Sequence, residues 1–223
     1  MNISIDRSLK NLFPSLRIGC VVSSVSVESS NLGLTNEMNR VCAELEQKYT
    51  PELIRSHPVV EMTKNAYRKM GQDPNRYRPA AESLLRRIAS GKGLYFVNNM
   101  VDILNLVSIQ SGFSIGGYDA GCIEGNVVFG IGQPGEPYEG IGRGALNITN
   151  LPVFRDNQGA FGTSTSDSVR TMVTENTKRF LMVFPEFNPV DQMLDEALSL
   201  SVKLLKQFGN VKDARVEVVD CHD

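Results

Sequence analysis

The stretch NNMVDILNLVSIQSGFSIGGYD, residues 98–119, holds the change of texture on which the fold turns. NNMVDILNLVSIQSG reads as a helix that stops at Gly112. From Gly116 to about Phe184 helical periodicity vanishes, glycine becomes dense, and short apolar pieces recur: NVVFGI, ALNI, LPVF and FLMVF. That pattern predicts a sheet with tight turns. Upstream, LRIGCVVSSVSV (16–27) is β-branched and reads as a strand. Thr35 is expected to cap the helix NEMNRVCAELEQKY, with Met38, Val41, Cys42, Leu45 and Tyr49 on one face. Two further helices open on prolines and close on glycines: PVVEMTKNAYRKMG from Pro58, and RPAAESLLRRIASGKG, with Leu84, Leu85 and Ile88 as its buried stripe. Downstream, QMLDEALSLSVKLLKQFG predicts an amphipathic helix and ARVEVVD a closing strand. The strands at 16–27 and 214–220 can join one sheet. The fold class is therefore α+β: a mixed, largely antiparallel, barrel-like sheet flanked by helices, read as one domain over 1–223.

Composition narrows the chemistry. The chain has 223 residues and a net charge of −2, enough for one generous core. Its longest apolar runs are too short to span a bilayer, and MNISIDRSLK has no signal-peptide core, so a cytoplasmic protein with no membrane partner is the plain reading. Cys20, Cys42, Cys122 and Cys221 are scattered without metal-like spacing. Cys20 and Cys42 read as buried thiols. His57 and His222 are the only histidines, which argues against a zinc enzyme or a histidine-centred triad. No metal and no cofactor is expected.

Charge is unevenly spread. Lys64, Arg68, Lys69, Arg76, Arg78, Arg86, Arg87 and Lys92 face only Asp73 and Glu82, so residues 64–92 carry +6 and the rest of the chain −8. Either this is a solvated helix face or it meets a polyanion. A second concentration lies in GAFGTSTSDSVRT, residues 159–171. Here Thr163, Ser164, Thr165, Ser166 and Ser168 surround Asp167. The hydroxyls either satisfy backbone groups in turns or wall a pocket for a polar ligand.

Taken together, AYRKMGQDPNRYRPAAESLLRR, VNNMVDILNLVSIQSG, IGGYD and GAFGTSTSDSVRT resemble the B3/B4 domain family. That domain is best known from the beta subunit of bacterial phenylalanyl-tRNA synthetase, where it hydrolyses wrongly charged aminoacyl-tRNA. The likeness covers roughly Pro58 to Phe184, residues 58–184. It implies a trans-acting aminoacyl-tRNA deacylase whose partner is the aminoacylated 3′ end of a tRNA, with no DNA partner. Nothing resembles the synthetase's ATP-binding catalytic domain.

The family's helix reads approximately NNVVDVTNYV, which Asn98, Asn99, Asp102 and Asn105 match. The resemblance places Asn105 on the pocket wall, with Asn98 and Asn99 as further candidates for the α-amino group or the ribose. Leu104 departs from the family's Thr. Gly116 stands where the family has the His of HAFD, while Gly117, Tyr118 and Asp119 complete the block. Met182 aligns with a Glu that reads the non-cognate side chain. Tyrosyl-tRNA is thus not implied as substrate. The hydroxyl block replaces a glycine-rich AGxMGG segment, and Gly162, Thr163, Thr165, Ser166 and Asp167 there would favour a polar or cationic aminoacyl group. Thr163, Ser166 and Asp167 are the catalytic candidates. Backbone N–H groups at 116–117 and 159–162 are candidate oxyanion donors, and Arg76, Arg78, Arg86, Arg87 and Lys92 candidate tRNA contacts. On the residues alone, Asn98 and Asp102 read equally as helix-start capping, and Tyr118 as a core aromatic. Two other functions stay open: a non-catalytic module that binds tRNA or an amino acid, and a small-molecule hydrolase without RNA.

Overall fold

A computed structural model describes residues 2–221. In chain order it contains β1 (Ile3–Ile5), α1 (Arg7–Leu12), β2 (Arg17–Ser24), α2 (Leu32–Lys48), α3 (Pro51–Arg55), α4 (Pro58–Lys69), α5 (Ala80–Ala89) and α6 (Asn99–Ser111). β3 (Gly116–Asp119), β4 (Val127–Ile131), β5 (Glu139–Gly140), β6 (Gly144–Ala145), β7 (Pro152–Asp156), β8 (Gly159–Thr163) and β9 (Arg179–Glu186) follow. α7 (Met193–Phe208) and β10 (Arg215–Asp220) complete the order. His222 lies outside the described residues.

The fold is α+β and largely antiparallel, and the described strands form two open four-stranded sheets rather than one closed barrel. One has the order β10-β2-β9-β3, antiparallel throughout. The other has the order β1-β4-β7-β8, where only the β1–β4 pair is parallel. β5 and β6 form a small ribbon. The two early and late strands do share a sheet: β2 lies between β9 and β10, with Cys20 opposite Val183 and Glu217.

An aromatic contact joins the sheets: Tyr118 of β3 meets Phe161 of β8 edge-on at 4.9 Å, while within the second sheet Phe129 of β4 stacks on its cross-strand partner Phe154 of β7 at 4.2 Å. α6 is buried on nearly every side, as an apolar helix must be. α7 covers β2 so closely that a Cβ at Gly19 would stand 2.8 Å from a Leu194 methyl. Cys20, the next residue, is buried too, and loss of solvation pushes its thiol up to about 12, so it is an inert core group. Cys42 is only half-buried.

Several local readings need correction. α2 starts earlier than Thr35. Asn31 is its cap, accepting the Leu34 N–H, while the Thr35 hydroxyl donates to the carbonyls of Asn31 and Leu32 inside the first turn. β2 ends at Ser24, not Val27. β1, α1 and α3 were not foreseen, being three to six residues long with too few positions to show a period.

The stop at Gly112 is structural in two ways. Its φ is +79°, and an added Cβ would fall 2.3 Å from the His57 ring. Gly112→Ala is expected to lower stability by about 1–3 kcal/mol, read as a lower denaturation midpoint with an unchanged fold.

Candidate functional site

Below α6 the two sheets leave a cavity of about 350 Å³. α5 contributes Ala80, Ser83 and Leu84; α6 contributes Val101, Leu104, Asn105 and Ser108. Ile115 and Gly117 come from the entry into β3, and Ile141, Arg143, Met172 and Val173 from the turns opposite. The polar end is the turn after β8, with Thr163, Thr165, Ser166 and Asp167. Most of the wall is hydrocarbon, so those few polar groups set the orientation of whatever enters.

The hydroxyls divide by what they already do. Thr163 Oγ1 accepts N–H bonds from Thr165 (3.1 Å) and Ser166 (3.0 Å) and donates to the Ser166 carbonyl. Its bonding capacity is spent on shaping the turn. Thr165 Oγ1 shares a 2.8 Å hydrogen bond with the buried Tyr67 hydroxyl. The Ser166 carbonyl also accepts from Tyr138 Oη at 2.6 Å. Ser166 Oγ has only a 3.5 Å bond to the Asp167 carbonyl and remains the least committed hydroxyl on this wall.

Asp167 is the one acid in the cavity lining. Oδ2 accepts the Gly117 N–H at 3.1 Å, while Oδ1 is buried with no hydrogen-bond partner among the described residues. Burial raises its pKa to about 7, against the opposing pull of the Gly117 N–H and then the Tyr118 hydroxyl. Tyr118 lies fully buried beneath, its Oη also without a completed hydrogen bond. Burial first, and the Asp167 charge second, hold that phenol protonated. Room for it comes from two glycines. A Cβ at Gly116 would stand 2.1 Å from Tyr118 Oη, and one at Gly162 2.0 Å.

The remaining candidates are dispersed. Asn105 lines the cavity, half-buried and without a hydrogen-bond partner among the described residues. Asn98 caps α6 by accepting the Val101 N–H. Asn99 accepts from Glu28 N and donates to the Ser26 carbonyl; Asp102 accepts from Val97 N and Ser30 Oγ. These three fasten the start of α6. Asp119 accepts from Gly121 N and Thr177 Oγ1, away from the cavity. Met182 is sealed inside β9 opposite Gly117 and Val21. Gly116, Tyr118 and Gly162 stand behind the wall rather than on it. Of the candidate oxyanion donors, the Gly117 N–H is taken by Asp167, and Gly159, the first residue of β8, does not line the cavity. Ser83, Ser108, Ile141, Arg143, Met172 and Val173 were missed. Only their convergence in space marks them, since each sits in an ordinary helical or turn context.

The basic segment is less free than its sequence suggests. Lys64 is buried, 3.0 Å from Glu82, which also receives Arg86 Nε at 2.8 Å and has Arg78 at 3.9 Å. Arg76 lies over Tyr77, and Arg87 over Tyr95 with its guanidinium carbon 3.8 Å from the ring centre. Lys92 is exposed. Among the described residues no three His, Cys, Asp or Glu side chains converge as a metal site, and no helix is long and apolar enough to cross a membrane.

Comparison with known proteins gives three findings. No curated protein matches the chain. Among solved structures, an N-terminal fragment of the phenylalanyl-tRNA synthetase beta subunit from Pyrococcus horikoshii is similar at 11% identity and a TM-score of 0.48. The match covers 96% of this chain and 50% of that one, so the chain spans about half the length of its structural relative. The family model described as the B3/4 domain matches residues 62–203, taking in α5, α6, both walls of the cavity and the Thr163–Asp167 turn. The chain belongs to the B3/4 domain family.

Proposed function

We propose that this protein hydrolyses the ester between an amino acid and the 3′ end of a tRNA, taking the amino acid into the cavity beside Asp167. The observation that carries the reading is the buried, unpartnered Oδ1 of Asp167 at the polar end of an otherwise apolar cavity. A carboxylate with a pKa of about 7 is matched to proton transfer near neutral pH. In the ionised form the Asp167 carboxylate takes a proton from a water as that water attacks the ester carbonyl. The acyl–oxygen bond then breaks, and the proton passes to the departing ribose oxygen. Asn105, with its amide uncommitted, is placed to hold the carbonyl or the α-amino group. The hydrocarbon of Leu84, Val101 and Leu104 suits the body of a side chain, and the carboxylate favours one with a polar or cationic end. Arg76, Arg78, Arg86, Arg87 and Lys92 remain the proposed tRNA contacts. Arg86 reaches RNA only if its bond to Glu82 is broken or shared.

One observation favours a second reading, a binding module without catalysis. The Thr163 hydroxyl and the Gly117 N–H, which would serve an oxyanion, are already bonded within the protein. A panel of mischarged tRNAs separates the two. Selective release of the amino acid, lowered about 10²- to 10⁴-fold in Asp167→Asn, is expected for the hydrolase. Retention of the tRNA with no release from any member establishes the binding module instead. For the hydrolase, kcat/KM rises with pH through about 7 and then levels.

The same carboxyl ties stability to pH. Its pKa is raised on folding from 3.8 to about 7, so between those values the folded state holds a proton that the unfolded state has lost. Stability contributed by the neutral acid is therefore whole below pH 3.8 and drains away as pH rises through about 7. Asp167→Asn is expected to lack that decline. Parallel denaturation curves of the two proteins across this range check it, and identical slopes would show that the carboxyl titrates normally.

A further inference from the structure

The segment between α5 and α6 exposes three consecutive apolar residues. Tyr95 is 70% exposed, Phe96 48% and Val97 62%. Leu94 beside them packs partly buried against the core, while the two aromatic rings stand in water. The segment is not a loose loop. Lys92 N donates to the Arg87 carbonyl and Arg87 Nη2 to the Lys92 carbonyl, fixing its start. Val97 N donates to buried Asp102 and Asn99 N to the Glu28 carbonyl, fixing its end. The rings are thus held out between two anchored points.

Position and charge indicate what meets them. Val97 is also part of the cavity wall, so the segment that carries the rings runs beside the cavity. The Arg87 guanidinium covers one face of Tyr95, leaving the ring's other side to solvent. Exposed Arg143 lines the same cavity, and Lys92 stands at the start of the segment. Neither has an ion pair among the described residues. A flat π surface backed by a cation, with further unpaired cations nearby, suits an unpaired nucleotide: its base stacks and its phosphates meet the charges.

We infer that Tyr95 and Phe96 form a stacking platform for the unpaired 3′-terminal bases of an RNA, with Arg143 and Lys92 meeting its phosphates. This rests on the proposed function for the identity of the ligand, but its two rings lie outside the cavity lining that holds Asp167. The probe is a fluorescein-labelled RNA hairpin ending in an unpaired ACCA-3′ tail, compared with the same hairpin made blunt. The tailed hairpin is expected to bind more tightly than the blunt one. Tyr95→Ala and Phe96→Ala should each weaken the tailed hairpin roughly 5- to 150-fold, with Tyr95→Trp near wild type. Lys92→Gln and Arg143→Gln should each reduce the slope of log affinity against log salt by about 0.7. Both rings are solvent-exposed, so denaturation midpoints should be unchanged.

Equal binding of tailed and blunt hairpins, or affinities indifferent to both alanine variants, overturns the platform and leaves a protein partner as the occupant to seek. The two proposals fail separately. Deacylation lost in Asp167→Asn but untouched by the ring variants removes the platform and keeps the hydrolase. Platform-dependent RNA binding with no ester hydrolysed does the reverse.

Discussion

The hydroxyl of Tyr118 sits in a slot that two glycines leave open, one on each sheet. Gly116 and Tyr118 belong to β3 and Gly162 to β8, so the phenol is the point at which the sheets interlock. Any side chain at either glycine would have to displace the ring. The same close packing buries Asp167, and that burial raises the proton affinity of its carboxyl against the opposing pull of the Gly117 N–H and the Tyr118 hydroxyl. The packing of the two sheets and the proton affinity of the candidate site are thus one arrangement.

A second constraint lies on the other side of the cavity. Glu82 is buried in the first turn of α5, and Lys64 of α4 and Arg86 of α5 neutralise it. Taking these charges out of water costs free energy, and removing one partner would leave the rest uncompensated. The group fixes α4 against α5, the helix that supplies Ser83 and Leu84 to the cavity. Lys64, Glu82 and Arg86 are thereby better described as internal wiring than as part of a positive surface.

Much of the architecture was legible because periodicity and punctuation agreed. Pro58 and Gly112 mark real helix ends, and the glycine-dense stretch from Gly116 is a sheet region. The short β1, α1 and α3 left no period to read. The site was legible only in part. Asp167 and Asn105 do meet in one cavity, whereas Asn99, Asp119 and Met182 are absorbed by bonds to the Ser26 and Glu28 backbone, turn bonding and core packing. A sequence shows that a polar group exists. It does not show whether a neighbour distant in the chain has already satisfied it, as Gly117 N satisfies one oxygen of Asp167 across fifty positions. The same limit hid Arg143 and Met172, whose side chains reach the cavity from turns that carry no pattern.

The placement of β2 bears on how the chain comes to be folded. β2 spans Arg17–Ser24, yet its two neighbours lie at Arg179–Glu186 and Arg215–Asp220. During synthesis this strand would leave the ribosome with both hydrogen-bonding edges bare, and would remain so until β9 and β10 are made. Pairing over such separations is slow, and an apolar strand with open edges invites the wrong partner in the meantime. The burden of avoiding aggregation falls on a segment far from the cavity, in the interval before α7 arrives to cover Gly19.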